Sequence, residues 1–148
     1  MSPAEPIGND EVILRRIPPT TIGMDSTKQL PNGRLRATSV RLSTRDGEHG
    51  LSCTRLIQTS PQELLNGLVA ESIDPTGWLV CRLLVSEVRQ LGLEVIHKPT
   101  LKDPGHCEIL GADGVLQYPN SHNSRLAKKS LILTNEEVST LKAGDRLS

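Results

Sequence analysis

The sequence VSEVRQLGLEVIHKPTLKDPGHCEILG, residues 85–111, decides the fold, because a helix, its stop signal and two strands follow one another in it. Its first part predicts a short helix over residues 86–91, since apolar residues recur at the spacing of one helix face: Val85, Val88 and Leu91. Gly92 follows, as is typical of the residue just past a helix C-terminus. The stretch therefore begins with a helix that has a defined end.

The second part of the stretch predicts a β-hairpin. Residues 93–98 alternate between two faces, and Pro99 ends this strand because proline has no N–H to donate to a neighbouring strand. A tight turn at residues 102–105 (KDPG) leads into a second strand, residues 106–110. The connection is too short for a crossover, so we expect the two strands to pair antiparallel.

Working outward, four further apolar segments are bounded by turn residues. A strand or single helical turn is predicted over 11–17, strands are predicted over 34–43 and 51–57, and a buried strand or helix entry over 78–84. The turn DGEHG at 46–50 predicts that the middle two strands form a hairpin. Residues 20–33 lack periodicity and are predicted to be a long loop.

Two capping boxes mark the starts of helices. Ser60-Pro61-Gln62-Glu63 and Thr134-Asn135-Glu136-Glu137 each place Glu three residues after a hydroxyl cap, and a further helix is predicted over 123–133. Strands and short helices do not alternate regularly, which favours α+β over a doubly wound sheet. We predict a flexible tail at residues 1–10 and one globular domain at 11–148, with a mostly antiparallel sheet and three to four short helices.

Composition excludes several classes of function. The 148 residues include 17 basic and 17 acidic side chains, so no net field attracts nucleic acid or an anionic membrane. One Trp, one Tyr and no Phe argue against base stacking, and we expect no sequence-specific nucleic-acid binding. No apolar run is long enough to cross a membrane, and the N-terminus lacks the features of a signal peptide. Three widely spaced cysteines are expected to be reduced and buried, as in a cytoplasmic protein.

His106 is the first candidate for chemistry. It follows the Asp-Pro-Gly turn and lies two residues before Glu108, so both side chains are expected on one face of a strand. Imidazole titrates near neutral pH and a neighbouring carboxylate would orient it, so the pair predicts a general base and its partner. The structural alternative is that His106 bonds to the preceding turn while Glu108 faces water.

Further candidates for binding a ligand or partner are Arg34, Arg36, Arg55 and His97. The guanidinium groups predict an anion clamp, because they bind phosphate and carboxylate in a bidentate manner, and a solvated strand face is the alternative. His97 lies on the apolar face of its strand, which favours a core histidine or, across the hairpin, a pocket shared with His106. No spacing matches a metal or nucleotide motif, so neither a metal nor a cofactor is expected.

Two hypotheses of function follow. The leading one is a non-catalytic accessory domain of bacterial type that binds another protein or its own copy. The binding surface would be residues 20–33 or the arginine-rich hairpin predicted from strands 34–43 and 51–57. It rests on the neutral charge and on the lack of a catalytic motif. The alternative is a small enzyme acting on a nucleotide or phosphate ester, with His106 as base, Glu108 as its partner and an arginine clamp. Whether the protein is an enzyme is left open by the sequence.

Overall fold

The computed structural model describes residues 6–44, 50–115, 118 and 120–145, and within them the predicted α+β class is confirmed. Eight strands are present: β1 (Val12–Ile17), β2 (Thr27–Gln29), β3 (Leu35–Ala37), β4 (Leu51–Arg55), β5 (Leu79–Leu84), β6 (Glu94–His97), β7 (His106–Leu110) and β8 (Leu131–Ile132). The four α-helices are α1 (Pro61–Ala70), α2 (Val85–Gln90), α3 (Asn120–Lys129) and α4 (Asn135–Thr140).

Six of the strands form one sheet in the order β6-β7-β4-β1-β5-β8, and β2 pairs with β3 in a separate two-stranded sheet. Every pair of neighbouring strands is antiparallel. The strand predicted near the N-terminus, β1, lies in the interior of the large sheet between β4 and β5. Within the predicted N-terminal tail, Ile7 is buried in the core, whereas residues 1–5 lie outside the described residues.

The hairpin predicted over residues 93–110 is confirmed. Strands β6 and β7 pair with Val95 opposite Ile109 and His97 opposite Cys107. Helix α2 ends before Gly92, whose φ of 83° is the left-handed conformation that glycine adopts without strain.

Both capping boxes are confirmed. The Ser60 hydroxyl accepts a hydrogen bond from the Glu63 amide at 3.1 Å, and the Glu63 carboxylate accepts one from the Ser60 amide at 3.2 Å. Thr134 and Glu137 make the same reciprocal pair at 3.1 and 2.9 Å. These pairs satisfy amide groups that have no partner inside the helix and fix where α1 and α4 begin.

The hairpin predicted between residues 34–43 and 51–57 is wrong. Strand β3 ends at Ala37 and pairs with β2, which lies inside the predicted loop 20–33. The chain then forms a 3₁₀ turn, Ser39–Leu42, that turns Leu42 into the core, and β4 pairs with β1 and β7 instead. Residues 45–49, which include Arg45 and most of the predicted DGEHG turn, lie outside the described residues.

The helix predicted over 123–133 is also wrong at its C-terminal end. Helix α3 stops at Lys129, and Leu131–Ile132 forms β8 against the outer edge of β5. The Ser130 hydroxyl accepts a hydrogen bond from the Ala37 amide at 3.0 Å, which joins this exit to β3. Tertiary strand pairing has therefore overridden the local helical pattern.

The large sheet has two faces with different coverage. The first face carries most of the core. All six strands of the sheet contribute side chains to it: Ile13, Ile17, Cys53, Leu83, Val95, Cys107, Ile109 and Ile132. On the second face, α1 and α4 cover β1, β5 and β8 through Leu64, Leu65, Val138 and Leu141. The second face of β4 and β7 carries polar side chains instead: Ser52, Thr54, His106 and Glu108.

A buried ion pair fastens the start of β1 to the end of β4. The Arg55 Nε and Nη2 atoms each donate to the Glu11 carboxylate at 2.7 Å, and the two residues are only 2% and 6% exposed. Glu11 also accepts a hydrogen bond from the Gly8 amide at 2.8 Å. Bidentate geometry of this kind offsets the large cost of removing both charges from water.

We predict that Glu11→Ala lowers the free energy of unfolding by about 3–5 kcal/mol, because it leaves the buried Arg55 guanidinium without its carboxylate. The matched control is Glu94→Ala, which removes the carboxylate of the solvent-exposed Arg89–Glu94 pair, with N–O distance 3.1 Å. That change is expected to cost about 1 kcal/mol or less. Urea denaturation measures the free energy of unfolding of both variants. Equal losses would contradict a larger contribution from the buried pair than from the exposed one.

Candidate functional site

A groove opens on the second face of the sheet, between α1 and the loop that joins β6 to β7. Its volume is about 630 Å³. The sheet contributes Arg16, Ser52 and His106 to its floor, and α1 and the loop form its two walls with residues that include Glu63, Gly67, Glu71, Lys102 and Asp103. The groove therefore lies where α1 stops covering the sheet.

A second cavity of about 310 Å³ continues this groove toward the single tryptophan. It shares five lining residues with the first cavity, Arg16, Ser52, Leu64, Asp103 and His106, and adds Trp78 and Pro18. The two cavities are therefore treated as one groove, in which His106 lies in the shared part.

The orientation of the His106 ring is set by a backbone carbonyl. Its Nδ1 atom lies 2.9 Å from the carbonyl oxygen of Lys98 on the paired strand. A carbonyl oxygen only accepts, so Nδ1 carries the proton and donates, and the neutral ring then keeps its lone pair on Nε2. No described residue forms a hydrogen bond with Nε2.

Glu108 shares a face with His106, but the two side chains do not form a hydrogen bond with each other. The Glu108 carboxylate is buried, and it accepts hydrogen bonds from the Gly50 amide at 3.0 Å and from Lys98 Nζ at 3.1 Å. The Lys98 carbonyl, not Glu108, orients the imidazole. In this structure Glu108 joins β7 to Lys98 and to the residue before β4.

Asp103 fixes the loop that precedes His106. Its carboxylate accepts hydrogen bonds from the Thr54 hydroxyl at 2.6 Å, the Gly105 amide at 3.0 Å and the Thr59 hydroxyl at 3.4 Å. Its carbonyl accepts from the His106 amide at 3.1 Å. The sequence analysis identifies Asp103 only as a turn residue, although Asp in an Asp-Pro-Gly turn is a signal for this side-chain hydrogen bonding.

Gly105 allows the loop to lie close to β4. A Cβ atom at this position would stand 3.2 Å from Gln58 Cβ and 3.3 Å from the Arg55 carbonyl oxygen. The Arg55 amide donates to the Gly105 carbonyl at 2.8 Å, so the close approach extends the pairing of β4 with β7. A larger residue here would push the loop, and His106 with it, away from the sheet.

The charges that line the groove are mixed, with three carboxylates and two cations. Arg16 donates to both oxygens of Glu71, at 2.6 and 3.4 Å, and this hydrogen bonding lowers the pKa of the Glu71 carboxyl. Lys102, on the opposite wall, lowers the same pKa by its positive charge. Arg16 is a site residue that the sequence analysis missed.

Gln58 lines the same cavity as His106. Its side-chain Oε1 is buried and forms no hydrogen bond with any described residue. Buried polar atoms are usually paired, so this atom is an exception within the described part of the fold.

The other predicted binding residues lie away from the groove. Arg34 donates to Glu137 at 2.8 Å and to the Ile132 carbonyl at 3.1 Å, and Arg36 donates to the Ala37 carbonyl at 3.3 Å. Arg55 is buried with Glu11, as described above. The structure therefore does not gather these three arginines around His106.

His97 and His106 do not share a pocket. The register places His97 opposite Cys107 on the first face, whereas His106 is on the second face. His97 is 5% exposed, and its Nε2 lies 2.7 Å from the carbonyl oxygen of Pro104. This contact helps to hold the β6–β7 loop against the sheet.

The three cysteines are free and buried, as predicted. Burial raises the pKa of the Cys53 thiol and of the Cys81 thiol to about 12, so neither is a thiolate at neutral pH. In the described part of the chain, no group of three His, Cys, Asp or Glu side chains is placed to hold a metal ion.

We predict that these thiols react with a disulfide reagent at pH 8 only when the protein is unfolded. Because the folded-state pKa is raised, the unfolded chain releases protons first, and folding stability falls as the pH rises from about 9 toward 12. Thiol titration in buffer and in urea measures the first effect, and thermal denaturation across this pH range measures the second. Rapid labelling of the native protein would contradict the assignment.

Helices α1 and α3 have 10 residues each, and no helix within residues 6–44, 50–115 and 120–145 has the length and hydropathy needed to span a bilayer. A scan against family models, a search of curated proteins and a search of solved structures found no match to this chain. The geometry of the groove therefore has to carry any assignment of function.

Proposed function

We propose that this protein is an interaction domain that binds an extended segment of a partner protein in the groove between α1 and the β6–β7 loop. The observation that carries the proposal is the continuity of the groove, in which cavities of about 630 and 310 Å³ share five lining residues, among them His106. A segment of chain laid along this groove would contact α1, the sheet and the loop at once.

The lining chemistry also suits a peptide. The lining combines apolar surface from Leu64 and Trp78 with charged side chains and with polar ones such as Ser52 and Gln58. Binding sites typically combine apolar surface with a few oriented polar groups that fix the ligand. Trp78 adds the kind of aromatic side chain that often dominates the binding energy of a protein interface.

The loop of residues 20–33 is a weaker basis for the same function. Ile22 is fully exposed there, at 105%, on a two-residue turn closed by hydrogen bonds between Thr21 and Met24. Single exposed apolar side chains are common on protein surfaces. The groove, not this loop, therefore carries the proposal.

A small enzyme acting on a phosphate ester is the second candidate, and the free Nε2 of His106 favours it. A general base needs an oriented lone pair in a cleft, and the Lys98 carbonyl supplies that orientation. The electrostatics oppose a phosphate substrate, since Arg16 is already paired with Glu71 and carboxylates outnumber cations in the lining. We therefore rank this activity below peptide binding.

We propose a cytoplasmic location for the protein. Three buried cysteines that form no disulfide support this location, because secreted proteins of this size often use disulfides to stabilise the fold.

The proposal is tested by selecting peptides from a phage-displayed random 12-residue library on the immobilised full chain. Because the chain has a single tryptophan, its fluorescence reports occupancy of the groove. We expect selected peptides to change Trp78 emission. We also expect Gly67→Leu to weaken binding about tenfold or more, which is about 1.4 kcal/mol, by filling the groove.

The matched control is Asn66→Leu, which adds the same side chain one residue earlier on α1, at an exposed position outside the groove lining. Gly67 is not in a left-handed conformation, and its Cβ would stand 3.6 Å from Arg16 Nη1, so the variant is expected to fold. Peptides that bind both variants equally would contradict the proposal. Hydrolysis of p-nitrophenyl phosphate that is lost in His106→Asn would favour the enzyme instead.

A further inference from the structure

We propose that the groove recognises a basic side chain, Lys or Arg, of the bound segment in the part lined by Gln58, Asp103 and His106. This inference rests on the proposed function and names the chemistry of the partner. It is carried by polar groups in this part of the groove that have no hydrogen-bond partner, or no neutralising cation, among the described residues.

Two of these groups are acceptors. In the neutral ring, His106 Nε2 keeps its lone pair, because Nδ1 donates to the Lys98 carbonyl. Gln58 Oε1 is buried and receives no hydrogen bond from any described residue, and both residues line the same cavity. A ligand that satisfies both atoms must donate more than one hydrogen bond, as an ammonium or guanidinium group does.

The third feature is a carboxylate whose charge is not neutralised. Asp103 is held by two hydroxyls and one amide, all of them neutral donors, and it forms no ion pair with any described residue. Glu63 on the opposite wall is likewise bonded only to the start of its own helix. Lys102 alone opposes these two charges, because Arg16 is paired with Glu71.

A cation on a flexible stem is the ligand that meets all three conditions. A phosphate would bring its negative oxygens against two lone pairs and a carboxylate. A neutral donor would leave the Asp103 charge uncompensated, and buried hydrogen bonds to a charged group are stronger than those between neutral groups. The stem of Lys or Arg would lie along the apolar surface of Leu64, as such stems do on other proteins.

The test compares two random 12-residue libraries on the full chain, identical except that one lacks Lys and Arg codons. We expect binders that are sensitive to Gly67→Leu from the complete library. From the depleted library we expect none, or binders about tenfold weaker. Groove binders of equal affinity from both libraries would overturn this inference and leave the proposed function intact. Enrichment from neither library would overturn the proposed function itself.

Substitutions in the groove give a second, independent readout on one selected basic peptide. Gln58→Leu is expected to weaken binding about tenfold and Gln58→Glu to retain it, because Glu keeps an acceptor at that position. The matched control Gln62→Leu alters an exposed α1 residue that bonds only to Asn66 at 3.1 Å, and it should bind normally. Loss of binding in Gln58→Glu would overturn the inference, because it would mean that the amide donates.

The last experiment adds n-butylammonium chloride or n-butanol to the complex of the full chain with the peptide. Trp78 fluorescence measures how much peptide each probe displaces. Millimolar competition with the peptide by the ammonium but not by the alcohol supports recognition of the cation. Equal competition by both probes would overturn it. Saturation by n-butylammonium at concentrations below those of the peptide would assign the site to free amines and overturn the peptide partner.

Discussion

The register of β7 is the constraint on which both the core and the groove depend. Its alternation sends Cys107 and Ile109 into the first face, where they are fully buried, and sends His106 and Glu108 to the second face. A slip of one residue would bury the imidazole and expose the thiol, so the packing of the core also determines which way His106 points. Pairing with β6 then brings the Lys98 carbonyl to the ring, and Asp103 ties the turn to β4.

The groove follows from where α1 begins and which side it buries. The capping box at Ser60 and Glu63 starts the helix a short loop after β4, and Leu64 and Leu65 pack it against the β1 and β5 half of the sheet. Its remaining side faces the β6–β7 loop across an uncovered strip of sheet. Arg16 and Glu71 neutralise each other at this groove. The remaining charged lining residues are Glu63, Asp103 and Lys102, whose net negative charge favours a cationic group.

The parts of the fold that depend on neighbouring residues could be predicted from the sequence, whereas those that depend on distant pairing could not. The β6–β7 hairpin and both capping boxes have local signals. By contrast, β4 pairs with β1 and β7 through contacts that no local turn specifies. His106 was identified as a candidate, but its partner is a backbone carbonyl, which has no sequence signature. Arg16 was missed because Arg15 and Arg16 look alike in sequence, although alternation turns Arg15 toward the Ser52 carbonyl and Arg16 toward Glu71.

The fold holds the His106 ring in the groove with Nδ1 protonated and with Nε2 making no hydrogen bond to any described residue. A long-range ¹H–¹⁵N NMR spectrum of protein labelled at histidine ring nitrogens, recorded where the ring is neutral, tests it most directly. His106→Asn identifies the signals. The structure predicts a protonated Nδ1 and an unprotonated Nε2 for His106. A proton on Nε2 instead would contradict the claim, because Nδ1 would then not donate to the Lys98 carbonyl.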